Sequence, residues 1–203
     1  MISIVDYKAG NLTSVKRGLE QLGIPNQTSA DPDIIRKAER IIFPGVGQAS
    51  AAMQVLRERK IDLALKEAFE RGTPILGICI GCQIILEHSQ EGDSACLGLL
   101  PGTCVRFQLK DPALKVPHMG WNAVEVTRPH PILRHLRPGD EFYFVHSYYP
   151  LPSNPNQVYA TCDYGGRFPV AIGADNLFAV QFHTEKSGPL GLKVLENFSA
   201  WKV

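Results

Sequence analysis

Up to His88 the chain alternates between two hydrophobic rhythms. Ile2-Ser3-Ile4-Val5 is a short apolar run that stops at Asp6, as a buried strand would. Leu12, Val15, Leu19 and Leu22 then recur at helical spacing, and Gly23 ends the repeat. A second apolar strand is predicted over RIIFPGVG (40–47), closing in a Pro/Gly-rich turn. Helical patterns follow through Met53, Val55 and Leu56, and through Leu63, Leu65, Ala68 and Phe69, the latter stopped by Gly72. PILGI (74–78) is a third strand, and Gly81 to about His88 reads as a helix carrying Ile84, Ile85 and Leu86. Strands that are apolar throughout and alternate with helices imply a parallel sheet covered on both faces.

The second half has a different pattern. It is rich in Pro, Gly and aromatic residues, with strand-like pieces at AVEVT (123–127), EFYFVHSYY (141–149), QVYATCDY (157–164), PVAIG (169–173) and LFAVQFH (177–183). A final amphipathic helix carries Leu190, Leu192, Val194, Leu195 and Phe198. The expected fold is therefore α/β: a three-layer sandwich whose central sheet is largely parallel and covered by helices. A smaller antiparallel or mixed strand region follows in the second half, all within one domain spanning 1–203. No internal repeat or linker-like stretch interrupts it.

Composition narrows the function classes. The chain has 203 residues, 44% hydrophobic and 20% charged, with a formal net charge of +1 and both signs interleaved. Bulk electrostatics thus point to neither nucleic acid nor an anionic membrane surface. The N-terminal apolar run is too short for a secretory or membrane-spanning segment. Five cysteines without paired spacing suggest a reduced, cytoplasmic protein.

The chemistry centres on GICIGCQ (77–83). Cys79 and Cys82 have the spacing of a redox dithiol, but they come late in the strand–helix series, after several elements that a thioredoxin-like domain would not place first. A zinc site would need further ligands, and Cys96, Cys104 and His88 form no second close pair. Gly77-x-Cys79-x-Gly81 between a strand and a helix instead has the pattern of a nucleophile elbow with cysteine in place of serine. There the helix N-terminus favours thiolate, and the N–H of Ile80 is placed to donate to an oxyanion. Taken alone, the string also fits a buried structural cysteine.

Two other segments weigh on that choice. In FAVQFHTEKS (178–187), His183 lies beyond alternating apolar residues and Glu185 stands two positions later. On an extended segment this spacing would put both side chains on one side, where a carboxylate could orient the imidazole. PGVGQ (44–48) is a glycine-rich turn whose backbone N–H groups could complete an oxyanion hole.

With an elbow cysteine, an upstream glycine-rich turn and a C-terminal His-x-Glu in this order, the chain resembles the class I, triad-type glutamine amidotransferases. VDYKAGNLTSV (5–15), KVPHMGWN (115–122) and YFVHSYY (143–149) look like the glutaminase subunits of imidazole glycerol phosphate synthases. The resemblance runs colinearly over essentially the whole chain. It implies that Cys79 attacks the side-chain amide of L-glutamine, that His183 held by Glu185 moves the protons, and that a thioester on Cys79 is hydrolysed. It implies an oxyanion turn at Gly45, Val46 and Gly47, and glutamine contacts at Gln83, Glu91 and the segment His146-Ser147-Tyr148. It also implies a heterodimer with a cyclase subunit of (β/α)8 barrel fold. That partner would use the ammonia to form imidazole glycerol phosphate and aminoimidazole carboxamide ribotide in histidine biosynthesis. No metal or cofactor enters this chemistry.

The chain departs from the family pattern in three places. Thr184 replaces the usual proline between His183 and Glu185, Cys82 stands where methionine is common, and Gln48 follows the oxyanion turn. Cys82 reads as a core substitution on the helix face, and Gln48 is assigned no role. His118, Met119, Trp121, Tyr143 and Lys186 flank the active-site segments and are the expected partner contacts, since Trp and Tyr are enriched at interface centres.

Overall fold

The computed structural model describes residues 1–7 and 12–203. Within VDYKAGNLTSV, residues 8–11 lie outside the described residues. The first half follows the predicted alternation. Strand β1 (Ile2–Val5) leads to helix α1 (Leu12–Gln21), strand β2 (Asn26–Ser29) and the short helix α2 (Pro32–Arg36). Strand β3 (Arg40–Gly45), helices α3 (Ala49–Glu58) and α4 (Ile61–Glu70), and strand β4 (Ile75–Cys79) follow. Gly23 and Gly72 close their helices with φ of +66° and +82°, the left-handed geometry that glycine adopts without steric cost.

In this half one predicted element differs, and one stretch carries no sequence signal. The helix after Cys79, α5, covers only Ile80–Ile84, and His88–Ser89 is a strand, β5. The apolar run Ile84-Ile85-Leu86 is buried because the chain crosses the core there, not because the helix continues. The stretch β2–α2 went unread: β2 is NQTS, a polar edge strand without an apolar signal.

After β5 come β6 (Ser94–Ala95), β7 (Gly102–Arg106), β8 (His118–Ala123) and β9 (Glu125–Val126). EFYFVHSYY is not one strand. It breaks at Ser147 into β10 (Glu141–His146), paired with β8, and β11 (Tyr148–Pro152), paired with β7. Finally β12 (Val158–Asp163), β13 (Arg167–Ala174) and β14 (Leu177–Val180) lead into helix α6 (Gly188–Ala200).

The central sheet has eight strands in the order β2-β1-β3-β4-β14-β13-β12-β9. The pairs from β2 to β14 are parallel, and those from β14 to β9 are antiparallel. The second-half strands therefore extend the parallel sheet as well as forming two smaller sheets, β10-β8 and β11-β7-β5-β6. Successive residues of the parallel strands feed opposite faces. Ile41 and Phe43 pack with α2, α3 and α4, whereas Ile42, Leu76 and Ile78 pack with α1 and α6. This alternation makes the three layers. No helix among the described residues is long and apolar enough to cross a membrane.

Candidate active site

The carboxyl ends of adjacent parallel strands are where open α/β sheets hold ligands. Here β3, β4 and β14 are neighbours, with Gly45 paired to Cys79 and Ile78 paired to Val180. Each strand ends at one of the segments singled out in the sequence: the glycine turn after β3, Cys79 at the tip of β4, and His183 just beyond β14. Residues more than a hundred positions apart meet because their strands are adjacent in the sheet.

Cys79 has φ 55° and ψ −107°, a conformation that a non-glycine residue holds only under constraint. It forms the turn from β4 into α5 and is the residue just before the first turn of that helix. The flanking glycines have distinct steric reasons. A Cβ on Gly81 would lie 1.9 Å from the carbonyl oxygen of Phe43 in β3, and one on Gly77 would press on Ala179 of β14 at 3.0 Å. A Cβ on Gly45 would lie 1.7 Å from the hydroxyl of the buried Tyr7. Close backbone approach thus requires the elbow pattern, and Tyr7 packs behind the glycine turn that follows β3.

His183 and Glu185 have fully buried side chains, with Nδ1 2.8 Å from Oε1. The route differs from the expected extended segment. Strand β14 ends at Val180, and His183 caps a 3-10 turn over Thr184–Lys186 that folds Glu185 back onto the ring. Ser187 fixes this turn: its hydroxyl donates to the His183 carbonyl at 2.6 Å and accepts from the Tyr143 N–H at 3.0 Å. The His183 N–H donates to the Tyr143 carbonyl at 3.0 Å. Burial works to lower the imidazole pKa, but hydrogen bonds with Cys79 and Glu185 and their negative charges outweigh it, raising it to about 10. With Nδ1 held by Glu185, Nε2 is the nitrogen that remains for the sulfur.

These groups open onto a cleft of about 310 Å³ lined in part by Val46, Gly47, Cys79, Gln83, Tyr148 and His183. Glu91, Ile80, His146 and Ser147 complete the predicted set along its wall. Gly45 lies beneath it, buried against Tyr7. The volume suits an amino-acid-sized ligand. A larger cleft of about 640 Å³ around Val126–Leu136 lies away from the nucleophile. Glu91 accepts from the Ala49 N–H at 2.7 Å, so it also ties down the first turn of α3 after the glycine turn. Gln83 donates through Nε2 to the Tyr148 carbonyl at 2.9 Å and to Gln181 Oε1 at 3.0 Å. Gln181 in turn donates to the Cys79 sulfur at 3.8 Å. Gln181, Ser187 and Tyr7 escaped the sequence reading. The signal for Gln181 was a polar residue at the heart of an apolar run.

One expected partner contact is corrected. His118 is buried, because the alternation of β8 turns it inward against Phe144 and Tyr164, where its Nδ1 meets His146 Nε2 at 3.0 Å. Burial lowers the pKa of His118 to about 4 and that of His146 to about 3. The outward face of β8 carries Met119, 62% exposed, and Trp121, 54% exposed. Trp121 stands edge-on to Tyr143 across the β10 pairing, and the Lys186 ammonium lies 5.7 Å from the Tyr143 ring centre. Cys82 is fully buried in the core, with its thiol pKa pushed up by burial and by neighbouring Cys104 and Cys79.

The chain is similar to known proteins over nearly its whole length. The family "Glutamine amidotransferase class-I" matches residues 3–201. The "Imidazole glycerol phosphate synthase subunit HisH" of Nitratidesulfovibrio vulgaris (strain Miyazaki F) is 50% identical, over 99% of this chain and 97% of its own. The protein of the same name from Moorella thermoacetica is 47% identical over 97% of this chain and 93% of its own. Among solved structures, PurLQS from Thermotoga maritima superposes with a TM-score of 0.75 at 20% identity, covering 97% of this chain and 96% of that chain. A structure described as a glutamine amidotransferase gives 0.72 at 19% identity, covering 98% and 97%. These two likenesses bear on the fold alone. With that fold, a strained cysteine at the elbow and a buried His–Glu pair beside it, the chain belongs to the class-I glutamine amidotransferases and, among them, to the HisH subunits of imidazole glycerol phosphate synthase.

Proposed function

We propose that this chain is the glutaminase subunit of an imidazole glycerol phosphate synthase and that Cys79, His183 and Glu185 are its catalytic residues. The Cys79 thiolate adds to the carboxamide carbon of L-glutamine, and the carbonyl oxygen becomes an oxyanion. The Ile80 N–H and the turn Gly45-Val46-Gly47 receive that charge. His183 gives a proton to the amide nitrogen, the C–N bond breaks, and ammonia leaves a γ-glutamyl thioester on the sulfur. Water, deprotonated by the now neutral imidazole, then releases glutamate and restores the thiolate. Glu185 keeps the ring oriented and stabilises its cationic form. Gln83, Glu91 and His146-Ser147-Tyr148 hold the glutamine. None of these steps uses a metal or an organic cofactor.

Ammonia freed into neutral water becomes ammonium and loses its nucleophilicity. This favours direct delivery to a cyclase partner, a (β/α)8 barrel in a heterodimer, which forms imidazole glycerol phosphate and aminoimidazole carboxamide ribotide. The exposed Met119, Trp121 and Lys186, with the half-buried Tyr143 among them, form the proposed docking face, aromatic at its centre and next to the His183 turn. Five free cysteines fit a cytoplasmic setting.

The observation that carries this reading is the fully buried His183–Glu185 pair lining one cleft with a cysteine held at positive φ. Glutamine hydrolysis by Cys79→Ala and Cys82→Ala in the presence of the cyclase tests it. Loss in the first and near-normal turnover in the second is expected; the reverse outcome would defeat it.

A further inference from the structure

The Tyr148 carbonyl can only accept hydrogen bonds, and it faces the Gln83 amide at 2.9 Å. Gln83 must therefore turn its NH2 group inward. The second hydrogen of that NH2 reaches the Gln181 side chain at 3.0 Å, so Gln181 must present its oxygen there. The amide nitrogen of Gln181 is then directed to the Cys79 sulfur, 3.8 Å away. One backbone oxygen thus sets the orientation of two amides and the polarity of the group beside the nucleophile. His146 secures the same carbonyl, donating from Nδ1 at 2.8 Å. Gln181 is fully buried in this chain of contacts, and Gln83 is nearly so.

We propose that Gln181 is a positioning residue that donates to the Cys79 thiolate and, through its oxygen, locks the Gln83 amide so that Gln83 Oε1 meets an N–H group of the bound glutamine. The proposal rests on the glutaminase reading above. Its physical content is a division of labour within one side chain. The N–H groups of Gln181 stabilise negative charge on sulfur, and its carbonyl reinforces the Gln83 orientation that the Tyr148 carbonyl sets. In the flipped state Gln83 would offer a donor where the substrate also carries a donor.

The test uses the full chain and two readouts that general loosening of the site would not separate. Iodoacetamide labelling of Cys79, followed by peptide mass spectrometry across pH, reports the thiolate. Steady-state glutaminase kinetics with the cyclase report glutamine binding. Gln181→Met, which keeps the side-chain length without hydrogen-bonding groups, should move the labelling midpoint up by about one pH unit. It should also raise KM for glutamine severalfold, since Gln83 is then held by the Tyr148 carbonyl alone. Gln83→Met, which loses the substrate hydrogen bond outright, should raise KM about tenfold and leave the labelling midpoint in place. The double variant should bind glutamine no worse than Gln83→Met alone. Should Gln181→Met fail to fold, Gln181→Glu probes the same point: its carboxylate still accepts from Gln83 but offers no N–H to sulfur, so the midpoint rises while KM changes little. Unchanged labelling in the folded Gln181 variant, or strictly additive KM effects, would overturn the proposal. If the unaltered chain neither hydrolyses glutamine nor takes label at Cys79, the glutaminase reading falls and this one with it. If it does both and the Gln181 variant matches it, only this proposal falls.

Discussion

Replacing Gly81 with alanine isolates the contact that shapes the elbow. In a helix this change is ordinarily favourable by about 1 kcal/mol, because glycine loses more backbone entropy. Here the added methyl would sit 1.9 Å from the Phe43 carbonyl oxygen, and real contacts do not fall below 3.0 Å. Helix α5 must therefore back away from β3 by about 1 Å, a displacement that at a reacting centre costs on the order of a hundredfold in rate. The carbonyl belongs to a strand in the middle of the sheet and cannot yield easily. Overpacking of this kind costs about 1–3 kcal/mol, which exceeds the propensity gain. Gly81→Ala should accordingly melt lower than the unaltered chain and lose about a hundredfold in kcat/KM for glutamine. Differential scanning fluorimetry and a glutamate-release assay with the cyclase present read both quantities. A variant that is more stable and fully active would show that propensity decides at this position and that the close approach of α5 to β3 does not shape the site.

Further expectations follow from the same geometry. Because the His183 pKa is raised to about 10, the stability it contributes is fully present below the unfolded value of about 6.5 and is lost as pH rises toward 10. The difference in melting temperature between the unaltered chain and His183→Gln should thus shrink from pH 6.5 to pH 10. The alkaline limb of kcat/KM should fall to lower pH in Glu185→Gln, which removes a partner that raises the pKa; a limb that stays in place would contradict the pairing. Ser187→Ala should lose about 1–3 kcal/mol by leaving the His183 carbonyl and the Tyr143 N–H without their shared hydroxyl, and denaturant melts check this. Trp121→Ala should leave stability within about 0.5 kcal/mol, since the ring is 54% exposed. It should weaken cyclase binding about thirtyfold or more by calorimetry if this ring is an interface anchor.

The legibility of the sequence varied with how each element is buried. Strands β1, β3 and β4 were readable because both faces are covered, which makes them apolar throughout. β2 was not, because an edge strand of Asn26, Gln27, Thr28 and Ser29 needs no apolar residues to pair. The break at Ser147 was hidden because β10 and β11 are both rich in aromatics, and only the partner strands show that they belong to different sheets. At the site, Cys79, His183 and Glu185 stood out by spacing and chemistry. His118 was misplaced because its direction depends on the register of β8 against β10. Gln181 acts through hydrogen bonds to Gln83 and Cys79, and Ser187 partly through one to Tyr143, all groups distant in sequence, so their partners are not encoded locally.

The central claim is that the buried sulfur of Cys79, activated by His183, becomes covalently attached to the glutamyl group. Incubation with an electrophilic glutamine analogue, followed by peptide mass mapping, tests it most directly. The adduct should fall on the peptide bearing Cys79, and His183→Ala should slow its formation steeply. An adduct on Cys82, or glutamine turnover that persists once Cys79 is fully modified, would contradict the account.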